Sequence, residues 1–108
     1  MDTGTDGVFK ALADPTRRLL LDRLYARPGL TLSELCSDIE MSRQAVSKHL
    51  GLLEGVNLVT ARRVGRAKLH YLNPVPVQAI YDRWINKYTS RPARALAALK
   101  KQLEGREQ

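Results

Sequence analysis

Apolar residues recur first at helical spacing, then at every second position, then at helical spacing again. Residues 8–13 predict a short first helix. Asp14-Pro15 marks the start of a second, with Asp14 at the N-cap and Pro15 at the first helical position, where its missing N–H costs nothing. Leu20, Leu21, Leu24 and Tyr25 give that helix its apolar positions, and Arg27-Pro28-Gly29 ends it. Thr31 with Glu34 three residues later reads as a capping box opening a third helix, which carries Leu32, Leu35 and Ile39 and extends to about Ile39. Ser42 caps a fourth helix over residues 42–53. At about 100° per residue, Val46, Leu50 and Leu53 fall on one side; Gln44, Ser47, Lys48 and Gly51 fall opposite, with Arg43 at the edge.

The period then changes to two. Residues 58–63 and 67–72 read as strands around a Val64-Gly65-Arg66 turn, and Asn73-Pro74 stops the hairpin. Residues 75–88 return to helical spacing, with Val77, Ile80, Tyr81, Trp84, Ile85 and Tyr88 as one apolar stripe that needs a partner. Ser90-Arg91-Pro92 predicts a break, followed by an Ala-rich last helix over residues 93–103 with Leu96, Leu99 and Leu103 on one side. The expected fold is mostly α with a small β-hairpin, in the order α-α-α-α-β-β-α plus a C-terminal helix. Two helices joined by about three residues and followed by a hairpin make a winged helix-turn-helix. The chain of 108 residues is expected to be one domain, residues 8–73 forming the core and wing and residues 75–104 the C-terminal helices.

Charge sharpens this picture. The chain carries 18 basic and 11 acidic residues, a net charge of +7, which favours a polyanionic partner. Between positions 42 and 70, Arg43, Lys48, Arg62, Arg63, Arg66 and Lys68 stand against Glu54 alone, so most of the excess lies on the fourth helix and the hairpin. The longest apolar run, residues 95–99, is far below the roughly 20 residues that span a bilayer, so no membrane partner is expected. The first residues, with Asp2 and Asp6, lack the basic and apolar regions of an export signal. The lone Cys36 also fits a reducing compartment, so the cytoplasm is expected.

The fourth helix carries side chains suited to base edges. Arg43 matches guanine O6 and N7, Gln44 matches adenine N6 and N7, and Ser47 and Lys48 suit a base edge or a phosphate. Taken alone this is an ordinary solvated helix face. The hairpin taken alone is a charged edge that discourages aggregation. Placed one after the other they point to double-stranded DNA, with Arg62, Arg63, Arg66 and Lys68 around a tip that can follow phosphates or enter the minor groove.

The blocks FKALADPTRRLLLDRL, TLSELCSDIEMSRQAVSKHLGLLEGVNLV and RRVGRAKLHYLN, spanning roughly residues 8–73, resemble the ArsR family of winged helix-turn-helix repressors in order and spacing. The resemblance implies a homodimer built from the first and fifth helices, here Val8, Phe9 and Leu12 with Val77, Ile80, Tyr81, Trp84, Ile85 and Tyr88. It implies a partly palindromic operator and repression of transcription. By position Arg43, Gln44, Ser47 and Lys48, with Ser42 beside them, match the family's DNA contacts, and Arg63 and Arg66 match its wing contacts. Many members sense metals through a Cys-x-Cys pair on the third helix, which here reads Cys36-Ser37-Asp38. The family's other metal site is reduced to Asp82 on the fifth helix.

No metal and no cofactor are therefore expected. Cys36 reads as a small core residue rather than a redox switch, and His49 and His70 as packing or polar surface residues. Residues 70–88 resemble members lacking the metal motifs, which leaves room for a small-molecule effector that the motif does not identify. Trp84 and Tyr88 read as interface core rather than as the lining of a ligand cavity. No nucleophile, base and orienting group come together in the pattern, so no enzyme is expected. The remaining alternatives are a non-specific nucleoid-type DNA binder and a winged-helix protein-interaction module.

Overall fold

The computed structural model describes the backbone of residues 3–106 and the side chains of residues 4–89 and 97–105. The elements run α1 (Thr3–Leu12), α2 (Pro15–Ala26), α3 (Leu32–Ser37), α4 (Arg43–Gly55), β1 (Val59–Val64), β2 (Ala67–Leu72), α5 (Val75–Ile80), a π-helical turn (Tyr81–Ile85) and α6 (Asn86–Arg106). The chain forms two compact units that divide between Val77 and Gln78. No helix among the described residues is long and apolar enough to cross a membrane.

In the first unit the helix starts are fixed by side chains. Asp14 accepts from the Arg17 N–H at 3.0 Å, and Ser42 accepts from the Ala45 N–H at 3.1 Å. Thr31 and Glu34 close both halves of a capping box, at 3.2 and 3.0 Å. Each bond satisfies a backbone donor that has no partner inside its helix. Helix α3 stops two residues short of Ile39. The Asp38 N–H turns back to the Cys36 carbonyl, and Ile39, already outside the helix, is buried in the turn that leads to α4.

The core is aliphatic: Leu20, Leu24, Leu35, Val46, Leu53, Leu58 and Val59 are all but sealed from solvent. Tyr25, which the helical spacing groups with Leu21 and Leu24, is 78% exposed instead. It lies one residue from the end of α2, where its hydroxyl stays in water. After α4 the chain reverses at Asn57, whose φ of 63° is the left-handed conformation that asparagine tolerates better than most residues. Asn73 bridges back across this reversal, its side-chain amide donating to the Asn57 carbonyl at 2.8 Å.

The hairpin pairs Val59 with Leu72 through to Val64 with Ala67, antiparallel. Its tip is therefore two residues, Gly65-Arg66, rather than three. Gly65 has a φ of +61°, the positive value that a primed hairpin turn requires at its first position. The base of β2 is tied to the segment before α3: the His70 N–H donates to the Leu30 carbonyl and the Gly29 N–H to the His70 carbonyl, both at 2.9 Å. Gly29 sits at φ +87°, and a Cβ there would lie 3.3 Å from the Tyr71 hydroxyl, so the close approach of the two segments depends on a glycine.

In the second unit the expected break at residues 90–92 is absent. The backbone stays helical from Asn86 to Arg106. Pro92 removes one N–H from the ladder, and the Ala-, Leu- and Lys-rich residues after it continue the helix. The irregularity lies earlier, in the π turn at Tyr81–Ile85, which shifts the phase of the apolar stripe. The Leu96 side chain lies outside the described residues; Leu99 and Leu103 are about half exposed.

The caps carry a pH signature. Accepting the Arg17 backbone N–H holds the Asp14 carboxyl below its ordinary value, and the Thr31 backbone N–H does the same for Glu34. A carboxyl with a lowered folded-state value binds its proton more readily when unfolded. The stability it contributes is therefore complete above the ordinary carboxylate range and is lost as the pH falls through it. Asp14→Ala is expected to lower the thermal midpoint at neutral pH, with the gap to wild type narrowing below about pH 4. An equal gap at pH 7 and pH 3 would show that the ionised carboxylate contributes nothing.

Candidate nucleic-acid interface

Helix α4 has two faces. Val46, Leu50 and Leu53 are buried, while Ser42, Arg43, Gln44, Ser47, Lys48 and Gly51 are exposed. The polar face thus contributes nothing to the core and is free to meet a ligand. The Ser42 hydroxyl oxygen is already engaged as the N-cap. Arg43 is held at the mouth of the helix-turn-helix, donating from Nη1 to Ser33 Oγ at 3.0 Å.

A cleft of about 530 Å³ runs between α4, the start of α3 and the hairpin. Arg43 and Ser47 reach it from α4, Ser33 from α3, and Arg66 and Lys68 from the hairpin. An adjoining depression of about 460 Å³ is lined by Leu32, Arg43, Gln44, Ser47 and Lys48. The structure thus brings Arg43 and Ser47 together with two of the four hairpin cations, whereas Gln44 and Lys48 line only the adjoining depression and Ser42 lines neither. The pairing of Arg63 with Lys68, and of Ala61 with His70, puts these four side chains on one face of the hairpin. Arg62, paired with Leu69, lies on the other. Neither Arg62 nor Arg63 lines the cleft. Arg62, Arg63 and Arg66 are exposed, and none of them makes a salt bridge among the described residues.

The cleft also holds residues that spacing alone did not nominate. Glu54, from the last turn of α4, places Oε1 3.3 Å from Lys68 Nζ and 3.7 Å from His70 Nε2. His70 is buried, and its Nδ1 lies 2.9 Å from the Leu30 carbonyl. A carbonyl can only accept, so Nδ1 carries the proton. On the opposite side of α4, His49 Nδ1 lies 3.4 Å from Arg17 Nη1. The guanidinium can only donate, so this nitrogen accepts. Arg17 also donates to the Ala11 and Lys10 carbonyls at 2.9 and 3.0 Å, and Arg18 donates to Leu12 at 2.7 Å. Two adjacent arginines just past the end of α1 are a readable signal for such a C-terminal cap.

Cys36 is a half-buried free thiol. Asp82 in the second unit accepts from Gln78 Nε2 at 2.9 Å. Of the expected interface residues, Val8 and Ile80 are buried already in the single chain, and Leu12 and Trp84 are half-buried. Phe9, Val77, Tyr81, Ile85 and Tyr88 are exposed, from 40% at Val77 to 62% at Tyr88.

An amphipathic second helix with a polar outer face, continued by a basic hairpin that shares its cleft, defines a winged helix-turn-helix DNA-binding protein. A family model described as "Helix-turn-helix domain" matches residues 12–62. The HTH-type transcriptional regulator YuzN of Bacillus subtilis is 42% identical over 91 residues, which cover 79% of this chain and 99% of YuzN. The transcriptional repressor SdpR of Bacillus subtilis is 32% identical over 68% of this chain and 80% of its own length. Among solved structures, an ArsR-like transcriptional regulator from Rhodococcus sp. RHA1 superposes with a TM-score of 0.74 at 31% identity, covering 96% of this chain and 94% of that one. The chain belongs to the ArsR family of helix-turn-helix transcriptional regulators and is a DNA-binding regulator. Members of the family are regulators of transcription, not enzymes.

Proposed function

We propose that the protein is a homodimeric, cytoplasmic repressor that recognises a partly palindromic operator. The observation that carries this reading is the shared cleft: the exposed α4 side chains Arg43 and Ser47 open into the same space as Arg66 and Lys68 of the hairpin. A major groove admits one helix, so Arg43, Gln44, Ser47 and Lys48 are placed to meet base edges, with Ser42 at the phosphate beside the helix start. Arg62, Arg63, Arg66 and Lys68 supply the sequence-independent attraction to phosphates, or to the minor groove, that fixes the register.

A single reading helix covers a short half-site, and a two-fold dimer doubles it. Residues 75–104 take the dimerisation role in this reading. Phe9 in the first unit and Tyr81, Ile85 and Tyr88 in the second, each more than 40% exposed, are apolar surface that a second copy would cover; Val8, Leu12, Val77, Ile80 and Trp84 complete the expected interface set. The naming of SdpR as a transcriptional repressor supports the sign of regulation. Neither a metal nor a cofactor is part of the reading, and an effector is left unspecified.

Selection of bound fragments from a random duplex pool at about physiological salt tests this directly. Enrichment of one imperfect palindrome is expected; binding without enrichment would make the protein a nucleoid-type binder instead. On the selected site Gln44→Ala is expected to cost ~1–3 kcal/mol, with little change on random DNA. An equal loss on both would remove Gln44 from base reading. Arg66→Ala is expected to weaken binding to every duplex and to flatten log K against log salt by about one unit. Ile85→Glu is expected to sediment as a monomer at concentrations where the wild type is dimeric. A dimer that survives this substitution would place the interface elsewhere.

A further inference from the structure

We propose that Glu54 is an internal competitor for DNA phosphate: it occupies Lys68 in the DNA-facing cleft and so lowers the protein's affinity for every duplex. The proposal rests on the reading of this cleft as the DNA interface. Between positions 42 and 70 Glu54 is the one acidic residue among six cations, and it is one of the residues that line the cleft. Arg43, Arg66 and Lys68 line the same cleft.

The geometry gives the carboxylate two neighbours of its own. Its Oε1 lies 3.3 Å from Lys68 Nζ and 3.7 Å from His70 Nε2. The lysine nitrogen is the nearer of the two. Lys68 is therefore its principal partner. Lys68 in turn sits directly across the hairpin from Arg63, a like-charge pair that is unfavourable unless an anion stands nearby. Glu54 supplies that anion.

For Lys68 to take a phosphate it must leave Glu54, and Glu54 is then an unpaired carboxylate facing a polyanion. The exchange gains little even though an exposed ion pair of this kind is itself weak. Among the described residues Arg66 has no such partner, so two cations that look equivalent in the sequence contribute unequally. Because counterion release counts neutralised phosphates irrespective of sequence, the restraint acts alike on operator and non-operator DNA.

The test measures Kd on a random-sequence duplex and on the selected operator across a salt series, for Glu54→Gln, Lys68→Gln, the double variant and Arg66→Ala. Glu54→Gln is expected to tighten binding several-fold on both duplexes and to steepen the salt slope by about one unit. Lys68→Gln alone is expected to change the slope by less than half as much as Arg66→Ala does, and in the double variant the gain from Glu54→Gln disappears. Weaker binding by Glu54→Gln with an unchanged slope would overturn the proposal and make Glu54 a support for the hairpin. A gain that persists in the double variant would overturn it too, showing general repulsion without Lys68. The Lys68→Gln and Arg66→Ala comparison decides the matter in the wild-type background even if Glu54→Gln folds poorly; equal slope losses would sink the idea. If Arg66→Ala also leaves the slope unchanged, the reading of the cleft as the DNA interface fails along with it. A flattened slope for Arg66→Ala beside an unmoved Glu54→Gln confines the failure to this proposal.

Discussion

A two-stranded hairpin is marginal by itself in water, and in this protein its usefulness depends on how its base is held. The Leu30 carbonyl accepts twice, from the backbone N–H of His70 and from the Nδ1–H of the same residue's ring, while the Gly29 N–H closes the pair in the other direction. The contact requires a glycine at position 29 and a buried ring at position 70, and it ties the loop before α3 to the strand that carries Lys68. Because α3 begins at the next residues and its turn leads into α4, the same contact sets where the hairpin stands relative to α4. A hairpin loose at this point would still be basic, but Arg66 and Arg43 would no longer share a cleft.

The energetics separate into two nearly independent sets of residues. Each fully buried aliphatic side chain is worth roughly 1.5–3 kcal/mol, and Leu20, Leu24, Leu35, Val46, Leu53, Leu58 and Val59 all fall in that class. Exposed ion pairs contribute about 0–1 kcal/mol each. The core therefore decides the fold, and the charged residues are left to decide the partner. Helix α4 serves both purposes because its period puts Val46, Leu50 and Leu53 on one side and Gln44, Ser47 and Lys48 on the other. Arg17 joins the sets from behind, capping α1 and donating to His49 on α4.

The starts of α2, α3 and α4 were legible in the sequence because capping is local, whereas α1 begins at Thr3, five residues before its expected start at residue 8. Asp14, the Thr31 and Glu34 pair, and Ser42 act within three residues of themselves, and each bond is made as the spacing requires. The hairpin was legible as an element but not to the residue. Reading its tip as three residues leaves the faces of the strands undetermined, and pairing Val64 with Ala67 is what places Arg63 and Lys68 on the face of His70 and Arg62 on the other. Glu54 was visible only as an isolated negative charge, since its partners lie 14 and 16 residues away through a fold that had yet to be built. The continuous α6 ran against the local signal: a Ser-Arg-Pro triplet is ordinarily a stop, and strong helix formers on its C-terminal side outweighed it. The π turn has no comparable signature in residues 81–85.

In the proposed reading the base-reading groups are confined to the exposed face of α4, which bears on what this chain shares with its relatives. A side chain such as Gln44 is exposed, so it can be exchanged at little stability cost beyond helix propensity, a few tenths of a kcal/mol for ordinary residues. The residues that build the cleft are not free in this way. Gly29, His70 and Ser42 each satisfy a backbone requirement, and Glu54 and Lys68 constrain one another. Identity of 31% alongside a TM-score of 0.74 is what such a division permits: packing and backbone hydrogen bonds hold the frame, and exposed side chains are free to differ on top of it. Shared fold and shared chemistry of DNA binding therefore carry over between members, whereas in the proposed reading the operator is set by the α4 face of each chain separately.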